Sequence, residues 1–223
     1  MFTDYLTFLV PALLGAQCVL TLVLTKGEIC PGQRGRVHKT LPVILAGWLL
    51  VVVSHPVALL PLLALSYFTF QVKTGKTRDA GPLKVLYAAG VFATVSWLGL
   101  LPAMQLPEMM LSLMAIPLFG ASLAHLLLTQ ARTRLQAFHR ILPFTGFVSA
   151  MVSILAILWL LSGMDEAQLE LLVSDVVGAL LLLVLSLLVW AGHILLGKTV
   201  NRWQLLAASI LLVASGSMQL AFL

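Results

Sequence analysis

The sequence predicts an all-α fold: a polytopic transmembrane helix bundle of about eight helices. Three observations carry this. Charged residues make up 9% of the 223-residue chain and hydrophobic types 61%, whereas a soluble domain carries about 25% charge. The apolar runs are mostly about the 20 residues needed to cross a hydrocarbon core. The cations are gathered into short segments between those runs. So little polar surface excludes an ordinary soluble enzyme or a nucleic-acid reader, and the mean hydropathy of +1.06 agrees.

The 13 cations fall in four segments. Lys26, Arg34, Arg36 and Lys39 form the first, and Lys73, Lys76, Arg78 and Lys84 the second. Arg132, Arg134 and Arg140 form the third, Lys198 and Arg202 the fourth. Asp4, Glu108, Asp165, Glu166 and Glu170 lie at the opposite ends of the apolar runs. Glu28 and Asp79 share basic loops, and Asp175 lies within a run. Short loops rich in Lys and Arg stay cytoplasmic, so these four segments are expected inside.

That placement orders the elements. The first run, 4–25, follows Met1-Phe2-Thr3-Asp4, with neither a positive start nor a small-residue cleavage site. It is therefore expected to remain as a span rather than be removed as a signal peptide. The second run, 41–71, has basic loops at both ends, so an even number of spans lies between them. His55-Pro56 is the natural break, because proline lacks a donor and disfavours helical geometry in the residue before it. Helices over 41–54 and 57–71 would form a hairpin with its tip outside. Each would be roughly 21–23 Å long, so the bilayer thins there or the hairpin is partly re-entrant. Runs at 83–103, 107–129, 141–162, 169–196 and 203–222 complete eight helices, with both termini outside. Residues 1–223 read as a single integral membrane domain, in a bacterial inner membrane.

Polar groups within the runs are the candidate chemistry. Asp175 is the one acid in a span. It is either a proton-handling carboxyl or a helix-start acid still in the outer headgroup zone. His125 and His193 lie near the inner ends of their helices at matched depth, with Ser122 and Ser186 on the same two helices. His38 and His139 sit beside basic loops, and His55 reads as a turn residue. A cavity is expected toward the cytoplasmic half, between the helices at 83–103, 107–129 and 169–196. No HxxxH or ExxH pair supplies metal-ligand spacing, so no metal or cofactor is expected. Cys18 and Cys30 form no disulfide framework. Ser174-x-x-x-Gly178 and Gly120-x-x-x-Ala124 suit close helix packing. Ser209, Ser215, Ser217 and Gln219 mark a polar stripe on the last helix, and the five tryptophans suit interfacial belts or packing.

The eight-helix plan with a short second helix resembles the YhhN-type lysoplasmalogenase family. Val37-His38-Lys39-Thr40-Leu41-Pro42 looks like the family's basic residue opening its second helix. Leu86-Tyr87-Ala88-Ala89-Gly90-Val91-Phe92 is similar to the start of its fourth. Gly178-Ala179, the leucine run after it and His193 look like its seventh. The resemblance implies an intramembrane cavity that binds or hydrolyses a lysolipid-like amphiphile. The family's acid near the inner end of its third helix has no counterpart in Leu65-Ser66-Tyr67-Phe68-Thr69-Phe70-Gln71. Its second acid aligns near Ser186. Protonating a vinyl ether needs a positioned acid, so little hydrolysis is expected.

Two functions therefore stand. One is hydrolysis of an ether bond in a lysophospholipid, with Asp175, His193 and Ser186 as catalytic candidates. Lys39, His125 and Ser122 would then bind substrate. The other is non-enzymatic binding or transport of a lipid or small molecule. The expected partner is a membrane lipid or lysolipid, not a nucleic acid.

Overall fold

A computed structural model describes residues 5–72, 80–133 and 135–223. Asp4, Lys73, Lys76, Arg78, Asp79 and Arg134, all used in reading the charge pattern, lie outside the described residues. Nine α-helices and no strand occur among the described residues: α1 (Leu6–Lys26), α2 (Pro31–His38), α3 (Leu41–Val52), α4 (Leu59–Gln71), α5 (Leu83–Leu98), α6 (Leu106–Gln130), α7 (Gln136–Leu161), α8 (Glu166–Leu195) and α9 (Arg202–Gln219). Six segments among the described residues are long and apolar enough to cross a membrane. The chain is a polytopic helical membrane protein.

The first basic segment differs from the expected loop. Residues 31–38 are helical, and Lys39 and Thr40 keep right-handed helical angles into α3. Pro42 then removes the donor that would reach the His38 carbonyl, which separates α2 from α3. Together Pro31–Val52 is a 22-residue segment. The second crossing thus has length enough without thinning, because its basic entry is part of the helix. The hairpin turn falls where proline places it. His55 precedes a single 3-10 turn, Pro56–Ala58, that leads into α4. The imidazole of His55 also reaches the Ser96 carbonyl at the end of α5, 3.0 Å away. The tip is therefore tied to the next helix rather than being only a turn.

Small residues set the closest crossing. A Cβ on Gly15 of α1 would meet the Ile116 carbonyl, and one on Gly120 of α6 would meet the Gly15 backbone. The two helices touch main chain to main chain, as dispersion-driven membrane packing favours. Proline inside α1 is accommodated nearby. Pro11 cannot donate to the Thr7 carbonyl, and the Ser112 hydroxyl, 3.5 Å away, points at it. Trp97 Nε1 donates to that same Ser112 oxygen at 3.0 Å. Side chains commonly re-satisfy carbonyls freed by proline in membrane helices.

Of the polar stripe on α9, Ser209 and Ser215 bond neighbouring helices, whereas Ser217 and Gln219 bond within α9. Ser186 Oγ donates to the Ala208 carbonyl at 2.8 Å, Ser215 Oγ to the Ala179 carbonyl at 2.7 Å, and Gln204 Nε2 to the Val189 carbonyl at 2.6 Å. Ser122 and Ser209 hydroxyls are 3.0 Å apart. The first three bonds run antiparallel α9 along α8, and the last ties α9 to α6.

Candidate functional site

Three histidines and a tryptophan meet where α6, α7 and α8 reach the basic end. Trp190 is fully buried, its ring packed on Gly146 of α7, where any Cβ would strike it. Its Nε1–H donates to His125 Nδ1 at 2.9 Å. An indole nitrogen only donates, so His125 accepts at Nδ1 and carries its hydrogen on Nε2. That Nε2 lies 2.9 Å from His139 Nδ1. The tautomers follow in sequence from the indole: His125 donates and His139 accepts.

His193 is held differently. Its Nδ1 is 3.0 Å from the Trp190 carbonyl and its Nε2 is 2.9 Å from the His139 carbonyl. The second carbonyl is vacant for a sequence reason. Pro143, four residues on inside α7, has no N–H to give it. Both imidazole nitrogens face carbonyl oxygens, and both bonds form together only with the doubly protonated ring. The His125 and His193 rings lie 5.7 Å apart, edge to face.

A polar cleft opens below these rings. Its two connected lobes have volumes of about 820 and 630 Å³ and share Thr129, His193, Lys198, Thr199 and Val200. Arg132, His139 and Arg140 line one lobe, and Asn201, Arg202 and Gln204 the other. Four cations thus face the cleft, and no carboxylate among the described residues lines it. The Thr129 hydroxyl is buried without a hydrogen-bond partner among the described residues.

Helix ends build its walls. α8 finishes on Gly197, φ +62°, with Lys198 N bonded back to the His193 carbonyl at 2.9 Å. This Schellman arrangement favours glycine at the left-handed position. α6 ends the same way, with Thr133 N on the Leu128 carbonyl at 3.2 Å, but Arg132 occupies the left-handed position at φ 51°. A side chain there costs roughly 1–2 kcal/mol. Arg36 of α2 closes this terminus, its Nε 2.7 Å from the Ala131 carbonyl.

The predicted site residues separate into groups. His125 and His193 come together, with His193 lining the cleft. Ser122 lies on α6 with its hydroxyl against Ser209, and Ser186 is buried with its hydroxyl committed to α9. Lys39 is exposed at the end of α2 and lines neither lobe. Asp175 stands 18 residues before His193 on one continuous helix, about 27 Å along the axis, so the two cannot act on one bond. The cleft is walled by α6, α7, α8 and α9, whereas the expectation named the helix at 83–103, now α5, as a wall; α5 contributes no lining residue. The sequence reading left out His139, Trp190 and the Arg140–Arg132 pair as site members. Pro143 was the available signal, since it frees a carbonyl one turn back toward the rim. Among the described residues no three His, Cys, Asp or Glu side chains converge as metal ligands.

Comparison with known proteins agrees with this architecture. An uncharacterized protein of Haemophilus influenzae is 34% identical over 167 residues, 68% of this chain and 62% of the relative. The chain therefore spans less than two thirds of that relative's length. No solved structure matches. A family profile described as an integral membrane domain covers residues 3–222, and the chain belongs to that family.

Proposed function

We propose that the protein is a non-hydrolytic binder of an anionic amphiphile, its headgroup held in the basic cleft at the cytoplasmic face of a bacterial inner membrane. The observation that carries this is the lining: Arg132, Arg140, Lys198 and Arg202 beside His193, with no acid among the described residues of the lining to neutralise them. Clustered cations of this kind recognise anionic headgroups. The apolar chain of the ligand would lie in the bilayer along exposed Ile194, Leu195 and Leu196 at the foot of α8. The cytoplasmic assignment rests on the positive-inside rule.

The lysoplasmalogenase resemblance supports a lysolipid as the amphiphile. Hydrolysis has less support. Cleaving a vinyl ether requires a proton donor at the carbon, and the in-span acid Asp175 stands 18 residues before His193 on α8, about 27 Å along the axis. Purified protein in detergent should gain thermal stability on adding an anionic lysophospholipid such as a lysophosphatidylglycerol. It should release no aldehyde from a lysoplasmalogen. Arg140→Ala/Lys198→Ala should abolish the stabilisation. Retained stabilisation in that double variant, or steady aldehyde release by the native protein, would refute the reading.

A further inference from the structure

We infer that the cleft selects a phosphomonoester, a dianionic terminal phosphate, over the zwitterionic phosphodiester headgroups of choline or ethanolamine lysolipids. This rests on the cleft being the binding site.

The argument begins with what a zwitterionic headgroup needs. Its ammonium is stabilised by a carboxylate or by an aromatic cage. Among the described residues the cleft lining contains neither. Trp203, beside the lining residue Arg202, is occupied by it: the guanidinium lies 5.1 Å over the ring. A quaternary or primary ammonium entering here would meet only like charge.

The arrangement of the cations makes a second, independent point. They come from four places: Arg132 from the end of α6, Arg140 from α7, Lys198 from the α8–α9 loop and Arg202 from the start of α9. Arg132, Arg140 and Lys198 line one lobe from three different elements, and Lys198 shares the other lobe with Arg202. A phosphodiester offers two unesterified oxygens and one charge. A phosphomonoester offers three, with a charge of about −1.5 to −2 near neutral pH, and so accepts from donors on several sides. Thr129 lines both lobes, and its hydroxyl, buried without a hydrogen-bond partner among the described residues, is a further neutral donor.

The negative ends of the neighbouring helices do not cancel this field. The α6 carbonyls are taken up by Arg36 and by the Schellman turn, and the His193 carbonyl of α8 by Lys198 N. His193 itself is buried and directs both nitrogens at carbonyls, so it does not bind the phosphate directly.

The same chemistry has two sources, a lipid with a terminal phosphate or a soluble phosphate ester, and the test separates them. Binding to the full chain in detergent is measured by microscale thermophoresis with four probes. These are a lysophosphatidic acid, the lysophosphatidylcholine of the same chain, a lysophosphatidylglycerol and glycerol 3-phosphate. Lysophosphatidic acid should bind at least tenfold tighter than lysophosphatidylcholine, and Arg140→Ala/Lys198→Ala should remove that preference. Lys26→Ala, an exposed cation outside the lining, should keep it. Glycerol 3-phosphate binding as tightly as lysophosphatidic acid identifies a soluble monoester as ligand; much weaker binding identifies the lipid. Equal affinity for lysophosphatidic acid and lysophosphatidylglycerol, both lost in the double variant, would overturn monoester selection and leave the anionic site standing. Equal affinity for the choline lysolipid would overturn it as well. No binding of any probe would overturn the site and this inference together.

Discussion

At the acidic end of the bundle, α8 begins on its own neighbours. Asp165 accepts from Gln168 N at 2.8 Å, and Gln168 returns a contact to Asp165 N at 3.3 Å. α6 does the same through Glu108, which accepts from Gln105 N at 2.9 Å. At the basic end these same two helices close on Schellman turns, and bonds to distant residues are added there. Arg36 reaches 95 positions along the chain to the Ala131 carbonyl, and His193 reaches 54 to the His139 carbonyl. Local caps close a helix and leave nothing over for a ligand. Long-range caps fold several elements around one space, and the cleft lies at that end. The difference teaches where to look for chemistry in a bundle this apolar: at the end where bonds to distant residues are added to the local caps.

The largest effect should come from the long-range cap on Pro143. His193→Ala leaves the part-buried His139 carbonyl without its imidazole partner, which should cost about 1–3 kcal/mol. In a Pro143→Ala background the new backbone N–H can serve that carbonyl, so the same substitution should cost roughly 1 kcal/mol less. Thermal unfolding of the four proteins of this double-mutant cycle measures the coupling. A coupling of zero would mean that the imidazole is not the proline's replacement donor, and the contrast between the two ends would lose its best instance.

This case also marks the limit of reading the sequence. The helical membrane fold was legible because hydropathy and cation placement are summed over whole segments. The hairpin at His55-Pro56 was legible because proline acts on its immediate neighbour. The matched depth of His125 and His193 was legible too, since both stand near the basic ends of apolar runs. What joins them was not. The His125–His139 bond depends on how α7 rotates against α6, and Gly146 sets that by admitting the Trp190 ring. Periodicity within one helix does not encode such a rotation. Helical geometry through Lys39 and Thr40 was hidden for another reason: a run of cations and glycines has poor hydropathy yet remains compatible with a helix entering from the rim.

A smaller effect contrasts one cap from each end. Arg132→Gly relieves the left-handed backbone and should stabilise the protein by about 1 kcal/mol, while weakening anion binding severalfold. Asp165→Ala removes a side-chain cap and should destabilise by about 0.5–2 kcal/mol, with binding unchanged. Stability and affinity thus move in opposite directions at the basic end and separately at the acidic one. Unfolding midpoints alongside lysophosphatidylglycerol titrations measure both. A loss of stability in Arg132→Gly would show that the arginine is retained for packing rather than for the ligand.

The smallest effect is a rate, and it tests which end faces the cytoplasm. Cys30 is exposed and immediately precedes α2 at the basic end. The backbone N–H of Gln33, joined by that of Gly32 and by the Arg36 guanidinium, holds its thiol below the usual cysteine range. The thiolate is the reactive form. Because its folded value is lowered, alkylation should reach its plateau at a lower pH than for a free cysteine, and should exceed that reference severalfold near pH 7. In right-side-out vesicles a membrane-impermeant maleimide should leave Cys30 unmodified, and in inverted vesicles it should react. Cys18, on α1, provides the in-span control in a Cys30→Ser variant, which should label poorly from either side. Rapid labelling of Cys30 in right-side-out vesicles would place the basic end outside. The cleft would then face a compartment in which the positive-inside rule fails for this chain, and the expected ligand would have to come from the other leaflet.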